Sequence, residues 1–215
     1  MCGIVGYIGK QEAYPILMDG LKRLEYRGYD SAGIATLEPN EVLRIEKKQG
    51  KVANLEVHLK ENTPVGTVGI GHTRWATHGP PSDVNAHPHA GSHGRIAIIH
   101  NGIIENYEAI RGLLAHRGHD LKSETDTEVL AHFIEEVQNS TGLDLPDAVR
   151  TALKEVIGAY AIVVIDQSHP DRLIAARKSS PLVIGVGQDN EFFIGSDATP
   201  IVAYTKNVIY LEDEE

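Results

Sequence analysis

The sequence predicts an α+β fold in which helices and sheets are layered around one core. Three observations carry this. Strand-like apolar runs cluster toward both ends of the chain. Helical periodicity concentrates between about residues 105 and 156. The composition, 41% hydrophobic and 23% charged over 215 residues, suits a globular domain able to bury a sizeable core without staples. We read residues 1–215 as a single domain, because no repeat, low-complexity stretch or linker divides them.

The elements follow in order. Residues 4–8 read as a buried strand between glycines, and 12–25 as a helix with Ile16, Leu17, Leu21 and Leu24 on one face. Residues 32–37 and 42–46 read as strands joined by a turn at Pro39-Asn40. Residues 52–59 form a weaker helix. A strand over 65–72 runs into a polar, Gly/Pro-rich loop, 73–94, and a further strand covers 96–100. Helices follow at 105–117, ending at Gly118, at 126–138, with Val129, Leu130, Phe133, Ile134 and Val137 on one face, and at 146–156. The last third reads as strands at 159–166, 172–177, 181–187, 191–195 and 207–211. The strand-like 207–211 followed at once by Glu212-Asp213-Glu214-Glu215 suggests a piece of a longer protein.

Composition also narrows function. The net charge of −10 argues against a general nucleic-acid surface. No apolar run approaches the ~18 residues of a membrane span, and no signal peptide follows Met1. A single cysteine excludes an intramolecular disulfide framework and suits a reducing, cytoplasmic compartment.

That cysteine is the second residue. Removal of Met1 would leave Cys2 with a thiol and an α-amine that titrates near ~8, so one residue could supply both nucleophile and base. The plainer reading is a buried structural cysteine; the position after Met and before Gly3 favours the chemical one. In the loop His72-Thr73-Arg74-Trp75-Ala76-Thr77-His78-Gly79, Arg74 offers a planar fork suited to a carboxylate. Thr77 and His78 add donors, and Trp75 could shield a ligand from water. Asn101-Gly102, at the end of a strand, fits either an oxyanion hole or a hairpin turn. Ser123-Glu124-Thr125-Asp126-Thr127-Glu128 reads as a helix N-cap with acidic residues in its first turn; Asp126 could also meet a ligand ammonium. Arg27 or Asp30, in the turn Tyr26–Gly33, could support the N-terminus. The histidines of Asn85-Ala86-His87-Pro88-His89, with His93 and His100 nearby, read as loop-bonded rather than metal-binding, because helical ligand spacing, a cysteine partner and a tight carboxylate cluster are all missing.

Taken together, six segments resemble the glutaminase domain of the glucosamine-6-phosphate synthase family. They are Cys2-Gly3-Ile4-Val5-Gly6, Leu24–Gly33 with its Arg27-Gly28-Tyr29-Asp30-Ser31, His72–Gly79, Asn85–His89, His100-Asn101-Gly102-Ile103-Ile104-Glu105-Asn106 and Ser123–Glu128. The resemblance covers essentially residues 2–215. It implies an N-terminal-nucleophile hydrolase fold, a four-layer αββα sandwich, and hydrolysis of L-glutamine to glutamate and ammonia. The ammonia would pass to a C-terminal sugar isomerase domain, absent from this chain, that converts fructose 6-phosphate to glucosamine 6-phosphate. The full-length enzyme would be a cytoplasmic homodimer that needs no cofactor or metal.

The resemblance also implies roles: Cys2 attacks, Asn101 and Gly102 hold the oxyanion, Arg74, Thr77 and His78 take the glutamine α-carboxylate region, and Asp126 takes its ammonium. Trp75 helps close the site, and Arg27 and His87 support it. Two alternatives stand beside this: an N-terminal-nucleophile amidohydrolase or amidotransferase with another acceptor, and a histidine-rich metal-binding module.

Overall fold

The computed structural model describes residues 2–28, 30–40 and 42–215. Processing of Met1, and Tyr29 within the Leu24–Gly33 segment, lie outside the described residues.

Eleven strands form two antiparallel sheets among the described residues. The first comprises β1 (Gly3–Ile8), β2 (Ser31–Glu38), β3 (Val42–Gln49), β4 (Val68–Arg74), β9 (Val183–Val186), β10 (Phe192–Gly195) and β11 (Val208–Tyr210) in the order β11-β9-β10-β1-β4-β2-β3. The second comprises β5 (His89–Ala90), β6 (Ile96–Ile104), β7 (Gly158–Asp166) and β8 (Leu173–Lys178) in sequence order. Helices α1 (Ala13–Leu24) and α2 (Val52–Leu59) cover the outer face of the first sheet. Helices α3 (Tyr107–His116), α4 (Asp126–Thr141) and α5 (Leu145–Lys154) cover the second.

Strand alternation builds these layers, because successive side chains point to opposite faces. On β7, Tyr160, Ile162 and Val164 join the helical layer, while Ala161, Val163 and Ile165 pack between the sheets. On β6, Ile96 and Ile98 meet α4, while Ala97 and Ile99 face the first sheet. Three apolar clusters therefore separate four layers, α/β/β/α.

Sequence chemistry also sets the helix that borders the site. The Thr125 hydroxyl accepts the Glu128 N–H at 3.2 Å as the N-cap of α4. Gly142, in the left-handed region, ends the helix.

The expected boundaries shift in two places that matter. β4 starts later than expected and runs on to Arg74, so that residue sits on a strand and not in the loop. β6 continues through Asn101-Gly102 to Ile104, paired with β7 throughout. The pair is therefore inside a strand, not at its end, and the hairpin reading fails. An Asn-Gly turn signal gives way here to an apolar continuation, Ile103-Ile104, that pairs on β7. The short β5 lies within the segment expected to be loop.

The register brings distant segments together. Gly3 pairs with Thr73, so Cys2 lies beside the end of β4, and Ser31 pairs with Arg74. The ends of β4 and β6, the start of β1 and the first turn of α4 thus meet at one place.

Candidate functional site

Cys2 is held from both sides. Its carbonyl accepts the Arg27 Nε–H and the Asn101 Nδ2–H, each at 3.2 Å. Its sulfur accepts the Trp75 N–H at 3.2 Å, and the thiol faces the Trp75 carbonyl at 3.6 Å. Arg27 is itself anchored on Asp197 at 2.7 Å. Burial pushes the Cys2 thiol up from its usual value; the Trp75 N–H and the Arg74 charge oppose that rise and Asp30 adds to it. The sulfur therefore rests as a thiol and needs a base to become a nucleophile.

Arg74 is only 3% exposed. Burial pulls its guanidinium pKa down, while the carboxylates of Asp30, Asp126 and Glu124 push it back up. Its fork is not open, as the loop reading expected. Nη2 donates to the carbonyls of His78 and Gly79, and Nη1 to that of Pro80. Because the residue is fixed on β4, its side chain folds back and gathers the following turn. Asp30 secures the same turn by accepting the Ala76 N–H.

Trp75 is 58% exposed, and its backbone N–H and carbonyl engage Cys2. Thr77 is exposed, with its hydroxyl 3.3 Å from His78 Nδ1. His78 lies 3.9 Å from Asp126 and edge-on to Tyr107.

Asp126 opens α4 and is 3% exposed. It is not the cap, a role Thr125 fills. Its Oδ2 instead accepts the Ile104 N–H at 2.9 Å, and His100 Nδ1 stands 3.9 Å away. A charge at a helix N-terminus is favoured there, and this one faces Arg74 across the site. Gly102 has φ +127°, and a Cβ there would lie 2.0 Å from the Ala159 carbonyl, so only glycine fits.

Four buried histidines line or back the site. His72 donates from Nε2 to the His100 carbonyl and to Asn101 Oδ1, each at 3.0 Å. His100 Nδ1 meets Thr127 Oγ1, and His89 Nε2 meets Thr125 Oγ1, both at 3.0 Å. His87 does not bond the loop backbone through Nδ1, as expected for these histidines; that atom has no partner, and the ring stacks on His72 with centroids 4.2 Å apart. Burial drives His72 down to about 3 and His87, His89 and His100 below their usual value, so all four are neutral. Among the described residues, no group of three His, Cys, Asp or Glu side chains is arranged to hold a metal ion.

Cys2, Arg74, Trp75, Thr77, His78, His87, Gly102 and Asp126 enclose a cavity of about 10 Å³, the size of one water. Asn101 and Arg27 reach the site through the Cys2 carbonyl instead. Sequence reasoning quoted His72, His100 and Thr125 within its motifs but gave none of them a role at this site. The available signal was that two buried apolar strand runs, Val68–Ile70 and Ile96–Ile99, each give way to histidine.

The description "Glutamine amidotransferase domain" matches residues 72–203. The chain is 60% identical over 215 residues to the glutamine--fructose-6-phosphate aminotransferase [isomerizing] of Bacteroides thetaiotaomicron, covering 100% of this chain and 35% of that protein. It is 54% identical to a protein of the same name from Thermus thermophilus, covering 99% and 34%. The chain thus spans about a third of the length of these relatives. Among solved structures, it superposes on glutamine phosphoribosylpyrophosphate amidotransferase from B. subtilis with TM-score 0.81 and 30% identity, over 98% of this chain and 44% of that one. A glutamine aminotransferase class-II domain protein from Silicibacter pomeroyi shares the fold, with TM-score 0.64 at 15% identity over 99% of this chain and 92% of that one.

Proposed function

This chain belongs to the glutamine amidotransferase domain family and has its N-terminal-nucleophile hydrolase fold, and from that premise we propose a mechanism for its glutaminase reaction centred on Cys2. The 215 residues act as one glutaminase domain. With Met1 removed, the Cys2 α-amine accepts the thiol proton as sulfur attacks the side-chain carbonyl carbon of L-glutamine. The Asn101 Nδ2–H and the Gly102 N–H hold the tetrahedral oxyanion. Collapse expels ammonia, which leaves with the proton the amine had taken, and a γ-glutamyl thioester remains. Water, deprotonated by the same amine, then releases glutamate and restores the thiol.

Charge accounts for the choice of an amino acid. Asp126 takes the α-ammonium, and Arg74, with Thr77 and His78, the α-carboxylate. In the closed state the Arg74 fork is spent on three neutral carbonyls. A substrate carboxylate replaces them with a paired opposite charge that the planar fork can hold in two parallel bonds. Entry therefore opens the 74–80 turn, because the cavity of about 10 Å³ cannot admit glutamine. Trp75 moves with that turn and covers the bound substrate.

The observation that carries this reading is the convergence of Cys2, Arg74, Gly102 and Asp126 on one buried cavity with Asn101 bonded to Cys2. We further propose that the longer protein is a cytoplasmic homodimer. Its remaining two thirds would hold the sugar isomerase that uses the ammonia to make glucosamine 6-phosphate from fructose 6-phosphate, and no step at Cys2 needs a cofactor. Among the described residues no helix is long and apolar enough to cross a membrane.

The test is glutamate release from L-glutamine, with intact mass recorded on the same sample. Release by protein one methionine lighter is the expected result. Equal release by protein that retains Met1 would overturn the amine's role.

A further inference from the structure

We propose that His72 is a positioning residue: it fixes which end of the Asn101 amide faces Cys2, and so aims an N–H at the reacting carbonyl. The inference deepens the proposed mechanism and rests on its assignment of Asn101 as an oxyanion donor.

The argument is one of hydrogen-bond logic. An asparagine amide can be turned over with little change in shape, yet only its nitrogen end can stabilise an oxyanion. His72 Nε2 meets two groups at 3.0 Å, the His100 carbonyl and the Asn101 side chain. A backbone carbonyl can only accept, so Nε2 carries the proton. The Asn101 atom facing it must then accept too, which makes it Oδ1 and turns Nδ2 toward Cys2, where it donates to the Cys2 carbonyl at 3.2 Å. One Nδ2 proton is used there and the second is left for the substrate. The other His72 nitrogen, Nδ1, is buried without a partner. A bare lone pair is tolerated in such a place better than an orphan N–H, which again puts the proton on Nε2. Burial holds the ring neutral, with its pKa down at about 3.

The fold holds the ring itself in place. His72 lies between Ile4 of β1 and Gly33 of β2, and His87 stacks on it at 4.2 Å. A Cβ on Gly33 would come within 2.2 Å of the His87 carbonyl, so this glycine lets the His87 segment approach closely.

The test compares His72→Phe and His72→Gln with the parent in two reactions at the same sulfur. Glutamine hydrolysis passes through an oxyanion; alkylation of Cys2 by iodoacetamide is a displacement at carbon that forms none. For His72→Phe we expect kcat for glutamine to fall about 100-fold, as for loss of an oxyanion donor, with KM and the alkylation rate within about threefold of the parent. His72→Gln, whose amide restores a donor, should recover to within about tenfold. Alkylation falling in step with hydrolysis would mean a structural role only, and unchanged kcat in His72→Phe would overturn the proposal. Should His72→Phe not fold, nitrogen NMR of the parent decides: His72 protonated on Nε2 supports the proposal and protonation on Nδ1 sinks it. Failure of the underlying mechanism reads differently, as full glutamine turnover by Asn101→Ala.

Discussion

Two cavities share the segment Asn85–His89 and differ in almost everything else. Beside β5 lies an open one of about 980 Å³ whose rim carries Lys47, His89, His119, His132, Glu128 and Glu136. At Cys2 lies one of about 10 Å³. The larger has abundant charge, but that charge is satisfied nearby: Arg117 and His119 both bond Glu136, Lys48 bonds Asp83, and Lys47 donates to the Val84 carbonyl. The smaller is bounded by groups from the two chain regions 2–102 and 125–126, and its Arg74 and Asp126 are buried. Coulomb interactions there are far stronger than in water. Size records where the layers splay apart; chemistry follows desolvation and convergence.

The largest expected effect breaks the small cavity. Cys2→Ala removes the sulfur without disturbing the carbonyl bonds from Arg27 and Asn101. Glutaminase activity should fall by at least ~1,000-fold while the thermal unfolding midpoint stays within a few degrees. Turnover near the parent rate would end the mechanism. Asn101→Ala should follow, with kcat down roughly 100- to 1,000-fold and KM little changed, measured by steady-state glutamate release. A change confined to KM would make Asn101 a binding group instead.

Next come the two charges. Arg74→Ala should raise KM for glutamine at least about tenfold. It also frees the carbonyls of His78, Gly79 and Pro80, so hydrogen exchange in residues 76–80 should quicken in the same variant. Asp126→Asn keeps an acceptor for the Ile104 N–H and loses only the charge; a KM rise of about tenfold is expected. An unchanged KM in either variant would remove that residue's zwitterion role.

The same contrast explains what could be read in advance. Helices and strands were legible because apolar periodicity is a local property, and α1, α4 and β7 fall within a few residues of their expected limits. Cys2, Asn101 and Asp126 could be picked out as candidates because nucleophile, amide and carboxylate are chemical types that motifs carry, and the fold brings them together. Strand order was not legible, since pairing Gly3 with Thr73 joins residues far apart in the chain, which no local pattern encodes. Nor was the role of His72: a histidine ending an apolar run gives no sign of which carbonyl it will meet.

A smaller effect per residue concerns acid stability. His72, His87, His89 and His100 are neutral when folded and have their ordinary value of 6.5 when unfolded. The unfolded chain thus binds more protons below that pH, and stability is lost as pH falls. Each histidine contributes up to about 1.4 kcal/mol per pH unit, with the His72 share continuing to about pH 3. Denaturant unfolding between about pH 7 and 4.5 should show a midpoint that drops steadily. A flat midpoint would mean that these rings are protonated in the fold.

The smallest expected effect tests the other cavity. His119 lies against Ser92 at 2.7 Å, His132 at 3.2 Å and Glu136 at 3.1 Å. His132 in this polar cluster is buried, but Ser92 is exposed and the cavity beside it is open, so water can take the place of a lost imidazole next to Ser92 and Glu136. His119→Ala should therefore cost no more than about 1 kcal/mol of stability and leave kcat/KM for glutamine within about twofold. The Cys2 cavity offers no such replacement at Arg74 or Asp126, because both are buried and a lost partner leaves a buried atom unpaired. Steady-state kinetics and a denaturant curve on one preparation decide the matter. A loss of activity of about tenfold with stability intact would show that the two cavities are coupled through Asn85–His89, and that the division drawn between them is wrong.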